Sequence, residues 1–318
     1  MESAGYLLRL TERLAGAVSR LSPETRARHS AYLRSRQNPE GGFSGREGGS
    51  DLYYTGFALR GLALLDALTP EVVGPAADFL RESLTRQASV VDFYSLLYAC
   101  LLVQISGGPD VLANSPLDWP DRVAATLETF RTADGGYAKA AGNAASSTYH
   151  TFLVGLCYEL LGRSLPGSEA VAKFVLSRRR EDGGFVEIAP MRRSGTNPTA
   201  AAVGLLQLLE QDGGVSPLTP EVRDGVVGFL AEMPSFEGGM RANARAPLAD
   251  LLSTFTATWT LDQLGALDRV DTSAALRFAR SVEVESGGFH GGLWDEGVDV
   301  EYTFYGLGVL ALLSEPPA

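Results

Sequence analysis

The sequence predicts an all-α fold, an α6–α6 toroid (α/α barrel) of six helix-pair repeats around a central apolar cavity. Three observations predict it. Gly-Gly pairs fall at 41–42, 135–136, 183–184, 238–239 and 287–288, with intervals of 94, 48, 55 and 49 residues. A Thr follows the second Gly at a fixed offset, 13 residues for Thr55 and 15 for Thr151, Thr199, Thr254 and Thr303. Each Thr opens an apolar run: TGFALRGLALL, TFLVGLCYELL, TAAAVGLLQLL, TFTATWTLDQL and TFYGLGVLALL. A period of this size marks a repeat architecture. In each unit a two-faced helix precedes one that is apolar nearly all round, which suits an outer and an inner layer. Periodicity alone does not separate an open solenoid from a closed ring. The Ala- and Gly-rich inner helices favour the closed one.

Taken in order, MESAGYLLRLTERLAGAVSRL reads as an amphipathic helix with Glu and Arg throughout. It lacks the apolar core and cleavage site of a signal peptide. The repeats then run approximately 22–66, 70–106, 120–162, 168–212, 219–265 and 271–313 in one domain spanning 1–318. The 94-residue interval hides a degenerate second unit, VVDFYSLLYACLLVQI, with Leu96 at the Thr position. Gly-Gly is expected to stop each outer helix in the left-handed conformation. Leu68-Thr69-Pro70 and Leu218-Thr219-Pro220 start the next outer helices.

The formal charge is −11 and the pI near 4.9, which argues against a nucleic-acid partner. Two cysteines, Cys100 and Cys157, exclude a disulfide scaffold and a Cys₄ zinc site, and both read as core. Of the three histidines, His29 and His290 read as surface or loop residues. No apolar run is long enough for a membrane span, and the expected location is cytoplasmic.

Asp51, Asp92, Asp250 and Asp299 each precede a Thr position by four residues, as helix N-caps would. Inner-helix N-termini gathered at one level would attract an anionic ligand. Seven of the eleven tyrosines lie within two residues of a Thr position. Tyr54, Tyr94, Tyr149, Phe255, Trp259 and Tyr305 are therefore candidates to line a pocket for a long apolar ligand or a carbocation. Core packing between helices is the competing reading.

The Gly-Gly-aromatic loop, the inner-helix Thr and the six-fold repeat resemble the β subunits of protein prenyltransferases, Rab geranylgeranyltransferase above all, and the repeat of squalene and terpene cyclases. The resemblance covers roughly Leu33–Leu313. It implies an isoprenoid or isoprenyl diphosphate ligand, a helical partner subunit or homodimer, and a catalytic zinc held by Asp, Cys and His. Here those positions are Asp250, Leu252 and Tyr302, so the standard zinc site is degenerate. The family's diphosphate histidine falls near Gly195, and its basic residues are echoed by Arg241 and Arg245; Arg192 and Arg193 offer alternative positive charge. Tyr149-His150-Thr151 matches the family's Tyr-His-Thr in another repeat, so Asp92 and His150 form a displaced candidate metal pair. Against the cyclases' Asp-x-Asp-Asp-Thr motif the chain reads Asp299-Val300-Glu301-Tyr302-Thr303, which puts Glu301 at the proton donor. Three readings follow: a prenyltransferase-like isoprenoid binder, a class II terpene cyclase using Glu301 as general acid, and a non-catalytic isoprenoid-binding or interaction toroid.

Overall fold

The computed structural model describes residues 5–18, 21–142, 145–211 and 217–314. It is mostly helical. After α1 (Tyr6–Val18) the helices come in pairs: α2 (Pro23–Ser35) with α3 (Leu52–Leu64), α4 (Pro70–Ser83) with α5 (Val90–Ile105), α6 (Trp119–Glu128) with α7 (Thr148–Leu160). They continue as α8 (Ser168–Ser177) with α9 (Thr196–Gln211), α10 (Pro220–Ala231) with α11 (Leu251–Gln263), and α12 (Thr272–Ser281) with α13 (Val300–Leu313). A two-stranded ribbon, β1 (Phe289–His290) and β2 (Val298–Asp299), precedes α13. The chain forms two compact units. The first comprises Met1–Leu10 and Asp118–Ala275, the second Thr11–Leu117 and Leu276–Ala318. In the first, α9 packs between α7 and α11; in the second, α3 packs between α5 and α13.

One arrangement recurs in both units. The Gly-Gly pair closes a tight turn beyond the first helix. Gly41, Gly135, Gly183, Gly238 and Gly287 all have positive φ, which only Gly adopts without strain. The residue after the pair is buried: Phe43, Tyr137, Phe185, Met240 or Phe289. Its backbone N–H donates to the recurring Thr hydroxyl, at 2.9 Å each for Thr55, Thr151, Thr199 and Thr254. The hydroxyl in turn donates to the carbonyl four residues earlier, from Thr151 to Ser147, Thr199 to Gly195, and Thr254 to Asp250, at 2.7 Å each. The Thr thus ties the turn to the first turn of the second helix, which explains the fixed offset.

The first Gly of each pair also lies against the backbone of another pair's first helix. A Cβ on Gly135 would stand 2.8 Å from the Ala170 carbonyl, and one on Gly238 would stand 2.7 Å from that of Ala274. Gly41 on Pro75 and Gly183 on Gly225 are tighter still. Gly287, in the last pair, meets the Arg28 carbonyl of α2 in the first, at 2.7 Å. The last pair therefore packs on the first within the second unit, and α13 lies against α3.

Three expectations need correction. Gly-Gly does not cap the first helices. Their C-caps are residues such as Arg36, Thr129, Arg178 and Glu232, and the glycines serve the turn several residues on. Asp51, Asp250 and Asp299 do cap α3, α11 and α13, but Ser89 caps α5 and Asp92 sits at its third position in a capping box. Ser89 offers an N-cap oxygen three residues earlier, and the helix starts there. His29 is not on the surface. It is fully buried, stacks on Phe289, and its Nδ1 accepts the Gly288 N–H at 3.0 Å. Its Nε2 therefore carries the proton and donates to Glu283 Oε1 at 3.0 Å. His290 lies in β1, with Nδ1 3.0 Å from the Gly297 carbonyl oxygen.

Two outcomes follow. Thr199→Val keeps the shape of the side chain but strands the buried Phe185 N–H, and is expected to cost about 1–3 kcal/mol in urea unfolding, with Thr199→Ser near wild type. Glu283, although burial raises its pKa, is held down to about 2 by hydrogen bonds from His29 and Arg280. A carboxylate depressed in the folded state stabilises above its unfolded pKa and loses that contribution as pH falls. The melting temperature should therefore drop more between pH 5 and pH 2 in the wild type than in Glu283→Gln.

Candidate functional site

In the second unit, three helix faces bring polar groups into an aromatic setting. On α3, Tyr53, Phe57 and Arg60 follow at four- and three-residue steps and share a face. On α13, Glu301, Phe304 and Tyr305 do the same, and Tyr94 and Tyr98 of α5 lie one turn apart. Phe57 bridges them, with ring centroids 4.9 Å from Tyr53, 5.7 Å from Phe304 and 5.3 Å from Tyr305. Glu301 Oε1 accepts the Tyr53 hydroxyl at 2.7 Å. Burial raises the Glu301 pKa, the bond from Tyr53 opposes this, and the charge of Asp299 reinforces it. Arg60 and Tyr305 also act to lower it.

Asp299 has a different role. Its Oδ1 accepts the Tyr302 N–H at 2.9 Å and its Oδ2 the Arg46 Nε at 2.9 Å, which fixes it at the start of α13. Arg46 also pairs with Asp295 and lies 5.7 Å from the Tyr302 ring centroid. Neighbouring carboxyls are thus set in contrasting environments, Asp299 buried against the Arg46 cation and Glu301 among aromatic rings. Tyr54 is half-buried beside them, and burial followed by the Glu301 and Asp299 charges raises its pKa.

The first unit holds other predicted residues. Asp250 caps α11, taking the Ser253 N–H at 2.6 Å and the Ser253 hydroxyl at 2.9 Å, and burial raises its pKa. Phe255 is buried in the same helix. Trp259 does not present its indole to an open wall; its Nε1 donates to the Tyr6 hydroxyl of α1 at 2.9 Å. Tyr6 also meets Phe152 edge-on at 5.3 Å, and the Glu159 carboxylate accepts the Tyr6 and Leu7 N–H groups at 2.9 and 2.8 Å. That carboxylate caps the N-terminus of α1. Tyr149 is exposed. Arg241 hydrogen-bonds the carbonyls of Glu232 and Met233 and secures its loop, while Arg192, Arg193 and Arg245 are exposed.

The metal candidates show the same commitment to local structure. Asp92 Oδ2 accepts from the Ala88 N–H, the Ser89 N–H and the Ser89 hydroxyl. His150 is half-buried, and burial first, then Lys139, pulls its pKa down to about 4. Among the described residues, no group of three or more His, Cys, Asp or Glu side chains could hold a metal ion. Tyr53, Arg60, Tyr6 and Glu187 were not singled out from the sequence. Glu187 is a buried carboxyl with a pKa raised by burial, bonded to Ser147 and to the Tyr149 N–H. Arg60 did carry a signal, as the single charge in TGFALRGLALL. Both cysteines are buried, and no helix among the described residues is long and apolar enough to cross a membrane.

With this geometry in hand, known proteins give the following. The profile of the family described as the prenyltransferase alpha-alpha toroid domain matches residues 18–87 and 78–317. No curated protein sequence matches the chain. Among solved structures, Candida albicans protein geranylgeranyltransferase-I complexed with GGPP is 14% identical, covers 90% of each chain and has a TM-score of 0.67. An α-1,6-mannanase of Salegentibacter sp. is 12% identical over 91% of this chain and 98% of that one, with a TM-score of 0.64. A type II terpene cyclase from Scytonema, in complex with geranylgeranyl dihydroxybenzoate, is 13% identical over 96% and 98%, with a TM-score of 0.59. At these identities the likeness carries the fold. The three differ in chemistry, so the reaction has to be argued from the residues.

One property of the site can be measured without substrate. Removing the Tyr53 hydroxyl deletes a bond that favours the ionised carboxylate, so Tyr53→Phe should raise the Glu301 pKa further. Infrared titration of the carboxyl band that disappears in Glu301→Gln is the check.

Proposed function

The chain belongs to the prenyltransferase alpha-alpha toroid domain family, and from that premise we propose that it binds an isoprenoid and that Glu301 is the acid that acts on it. The observation that carries this reading is the buried Glu301 carboxyl, raised in pKa and bordered by Tyr53, Tyr54 and Tyr305. A carboxyl whose pKa is raised by burial can serve as a general acid. The proton leaves the Glu301 hydroxyl and bonds to a carbon of an isoprenoid double bond. The positive charge appears on the adjacent tertiary carbon, the next double bond closes a ring onto it, and loss of a proton ends the sequence. Aromatic faces stabilise such a cation. The charge of Asp299 adds to burial in raising the Glu301 pKa.

The zinc that the family resemblance implies does not fit this residue set. Leu252 offers no ligand, Tyr302 is a poor one, and both Asp250 oxygens accept hydrogen bonds from Ser253. No step is routed through a metal. A second reading, isoprenoid binding without chemistry, draws support from the Tyr53 hydroxyl, which favours the ionised form of Glu301.

The test incubates the protein with polyprenyl substrates, both diphosphates and prenylated aromatics, and follows cyclised product by mass spectrometry. Glu301→Gln should lower turnover by 10²-fold or more, on the order expected for losing a general acid, while the isoprenoid-induced rise in melting temperature persists. Product formation unaffected in Glu301→Gln would exclude the acid role. No melting shift with any isoprenoid would exclude binding.

A further inference from the structure

Arg60 is the one charged side chain in the second-helix run of the first pair, and it is surrounded by rings. Its guanidinium carbon lies 4.0 Å from the Phe57 ring centroid, 5.1 Å from Phe304, 5.6 Å from Tyr94 and 5.7 Å from Tyr98. Its Nε donates to the Gly56 carbonyl at 2.9 Å, which fixes the plane of the fork. The rings come from all three helices, α3, α5 and α13, so the cation sits where they meet. Arg60 lies on the same face of α3 as Tyr53, two turns further along, and Tyr53 holds Glu301. Phe304 lies one turn after Glu301 on α13. The ring faces stabilise the positive charge where the three helices meet.

We propose that Arg60 is a positioning residue for the proton transfer, holding a fixed positive charge that stabilises the Glu301 carboxylate as the proton leaves. The proposal rests on Glu301 acting as the acid. Its logic is that of a charge placed where charge develops. The neutral acid gains little from a nearby cation and the departing carboxylate gains much, so the interaction grows toward the transition state. Asp299 works in the opposite sense. The groups that act on Glu301 are Tyr53 and Arg60 from α3, with Asp299 and Tyr305 from α13 and its N-cap. Tyr53, Arg60 and Tyr305 favour the ionised carboxylate, while Asp299 and burial favour the proton. Arg60 supplies the fixed charge in this set, because its guanidinium does not titrate in the working range. The carboxyl is thereby kept from becoming too weak an acid to give its proton up.

The experiment compares wild type, Arg60→Met, Arg60→Gln and Arg60→Lys, each checked for native helicity and melting. The infrared titration of the Glu301 carboxyl is the first readout and needs no substrate. The neutral variants should hold the Glu301 proton about tenfold more tightly, the scale of one lost neighbouring charge, and Arg60→Lys should titrate near wild type. With a turned-over isoprenoid, the neutral variants should lower kcat with little change in KM and move the alkaline limb of the pH profile upward. Glu301 titrating at the wild-type pH in a folded neutral variant would overturn the proposal. So would Arg60→Lys titrating with the neutral variants, because packing rather than charge would then be responsible. If Arg60→Met does not fold, Arg60→Gln gives the same reading. A shifted titration combined with undiminished turnover in Glu301→Gln would instead exclude the acid role and leave the charge coupling intact.

Discussion

The structure depends on one small hydrogen-bonded relay. In three of the repeats a buried Thr hydroxyl accepts the N–H that follows the Gly-Gly turn and donates to the carbonyl at the start of its own helix, and Thr303 makes the second of these bonds at the start of α13. Buried backbone groups must be paired, and a turn crossing from one helix to the next has few partners of its own. The Thr supplies one and sets the distance between turn and helix. It also fixes where the next side chains fall. With the second helix anchored at its first turn, residues one to three turns along project at repeatable heights. Glu301, Phe304 and Tyr305 on α13 and Tyr53, Phe57 and Arg60 on α3 meet for that reason.

The site shows how environment divides labour between similar groups. Asp299 and Glu301 are two residues apart. Asp299 caps a helix and faces Arg46, and both interactions favour its charge. Glu301 points among rings, where charge is disfavoured, and is left with the hydroxyls of Tyr53 and Tyr305 and the field of a guanidinium. The same helix start thereby sets two carboxyls in unlike surroundings. In the first unit, by contrast, Trp259 and Tyr6 satisfy each other.

The repeat was readable because it has a strict physical cause. The recurring offset follows from the 14 residues of chain between two bonded groups, one less than the count from the second Gly. What the spacing could not say was which bond produced it, so the glycines were first read as helix stops. The second pair shows the limit of counting: Asp92 stands at the expected position, yet Ser89 captures the helix start by accepting the Asp92 N–H and donating its own N–H to the Asp92 carboxylate. His29 was misread because one polar residue in an amphipathic helix ordinarily faces water. Its burial depends on Glu283 and Gly288, more than 250 positions away. Glu301 was visible through its motif, whereas Arg60 was passed over inside an apolar run. One overlooked clue was the Gly-Gly in the last repeat. Each such pair packs on another pair's first helix, and this one packs on α2 of the first pair.

The meeting of Gly287 with α2, and of Gly288 with His29, bears on how the chain reaches this state. A linear array can nucleate anywhere and fray from either end, with stability adding repeat by repeat. Here the first and last pairs protect each other, and the bond from Gly288 to His29 spans 259 residues. Closing so long a loop costs about 5 kcal/mol in its length-dependent entropy alone. The neighbouring pairs can assemble through local contacts, but this seam has to wait for nearly the whole chain. High contact order of this kind slows folding. It also makes the first and last pairs depend on each other for stability, although they lie at opposite ends of the sequence.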